Sequence, residues 1–214
     1  MNQLSSSYSK YQRKSRVQGF TLIEILVAIV LLSFGLLGMA GIQALALKSN
    51  TDAKQQSTAV QMATELSDMM RGNKNIALGV TAASNPYLTP LTDLTSYSPP
   101  AGTPKCFSAV AECITPLNVA QWEIVDWTTR IASQFAGAFI QICYDSAPYD
   151  AGGLPQWGCA SAGPATPGSP ISIKIGWTRA STNSDRSTAA ARASALDAAT
   201  RPSVVYTVTP GSPT

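Results

Sequence analysis

An apolar run from Phe20 to Leu47 is interrupted by a single charge, Glu24, and this placement constrains the chain more than any other feature. Ile25 to Leu47 alone is 23 uncharged residues, about 35 Å as a helix at about 1.5 Å per residue and enough to cross a bilayer. A carboxylate at the mouth of such a segment costs about 2.5–3.5 kcal/mol even on a lenient insertion scale, so it calls for a partner. Lys10, Arg13, Lys14 and Arg16 precede Gly19 with no acid among them. Those cations are expected to stay cytoplasmic and the C-terminal bulk to emerge on the other side.

Simpler readings compete with a special role for Glu24. A secretory signal peptide has an apolar region of roughly 7–15 residues before a small-residue cleavage site, and this run is too long. An ordinary single-pass anchor explains length and orientation but not the carboxylate. Thr21-x-x-Glu24 fits a helix capping box, a local role that is compatible with a second one. Gly35, Gly38 and Gly41 recur every three residues and so share one side of a helix. Small residues there permit close helix approach in lipid, at about 1 kcal/mol each in helix propensity relative to Ala. Glycine is also simply frequent in membrane helices.

The hexapeptide Gly19-Phe20-Thr21-Leu22-Ile23-Glu24 behind its basic leader resembles the class III signal of type IV prepilins and pseudopilins. The resemblance implies cleavage between Gly19 and Phe20 by a prepilin peptidase and N-methylation of the new Phe20 amine. It also implies a filament in which Glu24 meets the Phe20 amine of a neighbouring subunit. Such an ion pair in low dielectric favours correct register, because a misplaced subunit leaves a buried charge unpaired.

Composition narrows the remainder. The chain has 15 Lys and Arg against 12 Asp and Glu; removing the leader's 4 cations leaves 11 against 12, with no basic stripe to bind nucleic acid. Histidine is absent, which excludes Ser-His-Asp and Cys-His catalysis and histidine metal sites. No catalytic residue, metal ligand set or cofactor motif is evident, and we expect no enzyme. Cys106, Cys113, Cys143 and Cys159 form no C-x-x-C pair. Beyond a membrane anchor they are expected as disulfides in an oxidising compartment. Of the three possible connectivities, nearest-neighbour pairing gives Cys106–Cys113 and Cys143–Cys159.

Between Gly41 and Gly72 there is neither Gly nor Pro, and Ala59, Ala63, Leu66 and Met70 make one apolar stripe. One helix from near Phe20 to Arg71, about 78 Å long at that rise, is expected to end at Gly72. Residues 79–105 read as loop. Thr115-Pro116 starts a second helix, with Ala120, Ile124, Trp127, Ile131 and Phe135 on its apolar face. Strands are expected at Phe139 to Asp145, at Ile171 to Trp177, which alternates apolar and other residues, and at Val204 to Val208. A Gly/Pro loop (Gly152 to Pro170) and an Ala-rich insertion (Ala180 to Ala199) separate them. Trp127 and Trp177 read as core; Trp157, in the Gly/Pro loop, reads as a possible contact residue.

Four segments carry a finer resemblance, to the PilV group of minor pilins (type IV pilus modification proteins). They are Leu36 to Gly41, Gln61 to Asn73, Trp122 with its following helix and the strand after Gly137, and the late strand ending at Trp177. The usual Leu-Pro-Gly before that strand is replaced by Gln134-Phe135-Ala136-Gly137. The resemblance implies an α+β pilin-like fold, with a long N-terminal helix packed on a small antiparallel sheet. The domains expected are a cleaved leader (1–19), a transmembrane or filament-core helix (20–47), its amphipathic half (48–72) and a periplasmic head (73–214). It further implies a non-enzymatic minor pilin in the inner membrane and then the pilus. Its partners would be other minor pilins, the major pilin, the peptidase and the inner-membrane assembly platform. Its roles would lie in initiating the filament and in twitching motility, adhesion or DNA uptake. A minor pseudopilin of type II secretion shares this assembly logic and remains the alternative, ahead of a membrane-anchored periplasmic enzyme.

Overall fold

Without Gly or Pro to interrupt it after Gly41, the first helix, α1, runs unbroken over Leu22–Gly72. The computed structural model of the chain describes residues 19–107, 113–159, 169–178 and 201–211. The leader up to residue 18, the Ala180–Ala199 insertion and residues 160–168 of the Gly/Pro loop lie outside the described residues. The chain divides into two compact units, Met1–Lys48 and Ser49–Thr214. In the first, every described residue through Leu47 is exposed.

The second unit is α+β. After α1 come a one-turn helix α2 (Lys74–Ala77), strand β1 (Thr89–Asp93), helix α3 (Pro116–Gln134) and strands β2 (Phe139–Tyr144), β3 (Ile171–Gly176) and β4 (Val204–Val208). The strands form one antiparallel sheet in the order β1-β2-β3-β4. β1 falls inside the stretch expected to be loop. Pro90 masks the strand in sequence, yet β1 is an edge, where a missing N–H is tolerated, and its pairing with β2 is irregular between Thr89 and Thr92.

Helix α3 begins where Thr115 accepts a hydrogen bond from Asn118 N at 3.2 Å, with Pro116 at the first helical position. Its buried face, Ala120, Ile124, Trp127 and Ile131, packs in one core with Ala59, Met62, Ala63, Leu66 and Met70 and the sheet's isoleucines. Trp127 donates through Nε1 to the Met62 carbonyl at 2.8 Å, so its one polar atom is satisfied inside the core. At the half-exposed margin, Arg130 holds Glu65 with two bonds of 2.7 and 2.9 Å and Asp126 at 3.0 Å. Phe135 and Trp177 stack at 4.9 Å. The turn between α3 and β2 uses Gly137 at φ +58°, where an added Cβ would lie 2.3 Å from Thr178 Oγ1.

β3 departs from its expected half-exposed alternation: all six residues are buried, Ser172 and Lys174 included. Residues 145–159, tied back by Cys143–Cys159, cross the outer face of the sheet. Trp157 lies in this strap at 8% exposure, so it covers the sheet and is not available as a contact residue. Lys174 Nζ stands 2.5 Å from Asp145 Oδ2 and donates to the carbonyls of Gly158 (2.7 Å) and Trp157 (3.3 Å). Asp145 Oδ1 accepts from Ala147 N at 3.0 Å. Removing one partner of a fully buried pair strands the other charge, so Asp145→Ala is expected to cost about 3–5 kcal/mol. Chemical denaturation followed by tryptophan fluorescence measures it. Asp145→Leu with Lys174→Met should recover most of that loss.

Tyr87, fully buried, donates its hydroxyl to Glu123. Desolvation raises the Glu123 pKa above the ordinary carboxylate value, only partly opposed by the bond from Tyr87. A carboxyl whose folded-state pKa is raised contributes stability below its unfolded pKa and loses it as pH rises through the folded value. Glu123→Gln keeps an acceptor for Tyr87 without the charge. Its denaturation midpoint should therefore exceed that of the native chain at pH 7, with the difference shrinking as pH falls toward the unfolded carboxylate range.

Candidate functional site

Sequence reasoning singles out Gly19, Phe20 and Glu24, and the structure places all three at the exposed start of the chain's apolar helix. Gly19 and Phe20 precede α1, which starts at Leu22. The Gly19–Phe20 peptide bond thus lies in non-helical backbone, the form in which a peptidase can engage it. Nothing stands within 4 Å of a Cβ added at Gly19, so glycine there answers no packing demand of this chain.

Thr21 opens α1. Its Oγ1 accepts from Glu24 N at 3.3 Å, and its carbonyl accepts from Glu24 N at 3.1 Å and Ile25 N at 3.3 Å. This is the threonine half of a capping box. The reciprocal half is missing: among the described residues the Glu24 carboxylate has no hydrogen-bond or ion-pair partner. The local reading therefore accounts for Thr21 and leaves Glu24 unexplained.

Around Glu24 the surface is apolar on every side. Phe20, Leu22, Ile23 and Ile25 are 78%, 88%, 66% and 48% exposed, and the pattern continues through Leu47. An 18-residue window of α1 reaches a mean hydropathy of 2.6 with none of it buried. A surface of this kind is not stable against water and marks a membrane or protein interface. Beyond Thr21, the hydroxyl of Ser33 donates to the Ile29 carbonyl at 2.7 Å. Gly35, Gly38 and Gly41 have nothing within 4 Å of where a Cβ would be.

The four cysteines are joined as Cys106–Cys113 and Cys143–Cys159, with no free thiol among the described cysteines. The first bridge closes a loop beside α3, where Phe107 meets Trp122 edge-on at 4.9 Å. The second fastens the strap over Lys174. Sequence reasoning missed the Lys174–Asp145 pair. The available signal was a lysine at an alternate position of an otherwise apolar strand, beside a cysteine-closed loop. Among the described residues no group of three or more Cys, Asp or Glu side chains is placed to hold a metal ion.

A comparison with protein-family models matches residues 14–40 to the prokaryotic N-terminal methylation motif. No curated protein and no solved structure matches the chain. The matched segment spans the basic residues from Lys14, the Gly19–Phe20 junction, Glu24 and the apolar run as far as Ala40. The motif is the class III signal of type IV pilin-like and pseudopilin proteins; it implies processing by prepilin peptidase and assembly with pilus components, and it fits membrane anchoring. Gly19→Val is expected to leave an unprocessed precursor about two kilodaltons heavier than the mature chain, since nineteen residues at roughly 110 Da each would be retained. N-terminal sequencing and intact mass would show the native protein beginning at N-methylated Phe20; residues ahead of Phe20 on the mature form would refute this.

Proposed function

We propose that this chain is a minor pilin. It is a non-enzymatic subunit that enters the inner membrane through α1, exposes its head to the periplasm and helps initiate type IV pilus assembly near the filament tip. The observation that carries the reading is the Glu24 carboxylate. It is without a partner among the described residues, stands on an exposed apolar helix and lies inside a matched methylation motif. A charge so placed is compatible with a low-dielectric environment only when another subunit supplies its counter-charge, and the methylated Phe20 amine of a neighbour is such a group. Other minor pilins and the major pilin are then its structural partners, with the inner-membrane platform as the site of assembly.

The head supports a part in a small complex. It is individual in sequence, carries two disulfides, and presents Phe107 and Ile114 to solvent at 87% and 83%. Exposed aliphatic and aromatic side chains on a cross-linked loop suit contact with sibling subunits. Downstream roles in twitching motility, adhesion or DNA uptake follow from pilus formation.

Glu24→Val should insert into the membrane normally and leave the head's stability unchanged, because the carboxylate has no hydrogen-bond or ion-pair partner among the described residues. It should nevertheless fail to enter filaments, reducing surface pili. Recovery of the variant in sheared pili at the native level would reject the proposal. Quantitative proteomics of those pili should find the native chain far below the major subunit. A deletion that abolishes secretion while leaving pili and motility intact would move the reading to a type II secretion pseudopilin.

A further inference from the structure

Lys174 occupies the middle of the sheet's outer face, a position that ordinarily sees water, yet its side chain is fully buried. The cover is the strap of residues 145–159. Several of the strap's hydrogen bonds close on itself: Asp150 N to Leu154 O at 2.8 Å, Gln156 N to Pro148 O at 3.0 Å, and Gln156 Nε2 to Ala147 O at 3.0 Å. Asp150 Oδ1 also accepts from the Gly152 and Leu154 amides at 2.9 Å. Only Asp145 and Trp157 of this segment are buried, while Tyr149 and Leu154 are 50% and 53% exposed. The strap is thus a partly self-bonded unit whose one buried apolar side chain is Trp157. Continuity with β2 fixes its start and Cys143–Cys159 fixes its end, where Gln141 Nε2 donates to Cys159 Sγ at 2.9 Å. Arg201 adds outer ties, to Asp150 at 2.7 Å and to the Pro155 carbonyl at 3.0 Å, and the Asp145 amide donates to the Pro170 carbonyl at 3.1 Å.

From this arrangement we propose that Cys143–Cys159 is a redox latch: the strap closes over Lys174 only in the oxidised head. A dithiol opens it and uncovers Lys174 while the helix–sheet core stays folded. The dithiol supplies two electrons and two protons; the S–S bond gives two thiols and the reductant becomes a disulfide. Once the bridge is open, ordering the strap is an entropic cost set against two buried side chains. Lys174 gains by returning to water, since burial of an ammonium is unfavourable unless its partners are held in place. The inner face, with Ile171, Ile173 and Ile175 against the core, does not depend on the strap, so opening is local.

The test labels amines on the full chain in detergent micelles with N-hydroxysuccinimidyl acetate and reads each lysine by mass spectrometry, with exposed Lys54 as reference. In the oxidised protein Lys174 should react at least about tenfold more slowly than Lys54, as expected of a group reached only by local opening. Dithiothreitol should remove that protection while the hydrogen-exchange protection of the β2 and β3 amides persists. The Cys143→Ser/Cys159→Ser variant should behave as the reduced protein without reductant. The Cys106→Ser/Cys113→Ser variant should keep Lys174 protected until reduced. Protection that survives reduction, free labelling of Lys174 in the oxidised protein, or labelling that appears only with loss of the amide protection in β2 and β3 would each overturn the latch.

Discussion

Burial of Trp127 against α1 organises the head. Its indole reaches the Met62 carbonyl, and Ala59 and Ala63 on the same helix face are small enough to leave room for a large ring. A helix whose buried stripe is made of Ala, Leu and Met cannot close a core alone. The stripe has to be completed from outside, and α3 and the sheet supply the volume with Ile124, Trp127, Ile131 and the inward isoleucines of β2 and β3. The Arg130 clamp on Glu65 then fixes the register of α3 along α1 at the margin of that core. Each exposed ion pair of this sort contributes little by itself; its effect is to select one alignment of a contact that burial drives.

The elements that sequence reveals best are those in which one local signal and one burial pattern agree. α1 shows as an apolar run continued by a Gly- and Pro-free segment (42–71) with its stripe, and α3 shows through Thr115-Pro116 and the spacing of Ala120, Ile124, Trp127 and Ile131. β2, β3 and β4 show through runs of Ile and Val. β1 was not legible, because Pro90 and the polar residues around it describe a loop equally well until an edge position excuses them. Trp157 and the polar face of β3 were misjudged for a related reason. Alternation predicts which residues face away from the core, but it does not predict that a distant, disulfide-tied segment will cover them. Of the candidate site, Gly19, Phe20 and Glu24 were legible because the chemistry is compressed into six contiguous residues. Lys174 and Asp145 lie 29 positions apart in sequence; the sheet register sets Gln141 opposite Lys174, and only the side chains, reaching along the covered outer face, close the pair.

The two units handle charge in apolar surroundings in opposite ways. In the head, Lys174 finds a carboxylate and two carbonyls within its own chain, so the pair can be buried once, during folding. In the first unit, Glu24 finds none among the described residues. The first placement incurs desolvation in the fold itself; for Glu24 a membrane or filament would impose it, and the compensation would then have to come from another molecule. That difference separates a structural charge from one suited to assembly: an internally paired group favours a fold, and an externally paired one favours a particular neighbour in a particular register.

The start of α1 makes the proposed processing compatible with this division. Its cap is Thr21, whose hydroxyl and carbonyl engage the Glu24 and Ile25 amides, and no described bond of that cap involves Gly19. Cleavage before Phe20 would therefore leave the helix start intact. It would also create an ammonium at the end of a helix where the macrodipole disfavours positive charge by about 0.3–1 kcal/mol. Methylation of the amine keeps the charge and so does not remove the conflict. A carboxylate brought alongside by another subunit would remove it, and Glu24, held one turn into the helix by that same threonine cap, is a group of the required sign in a segment that otherwise has no charge to offer.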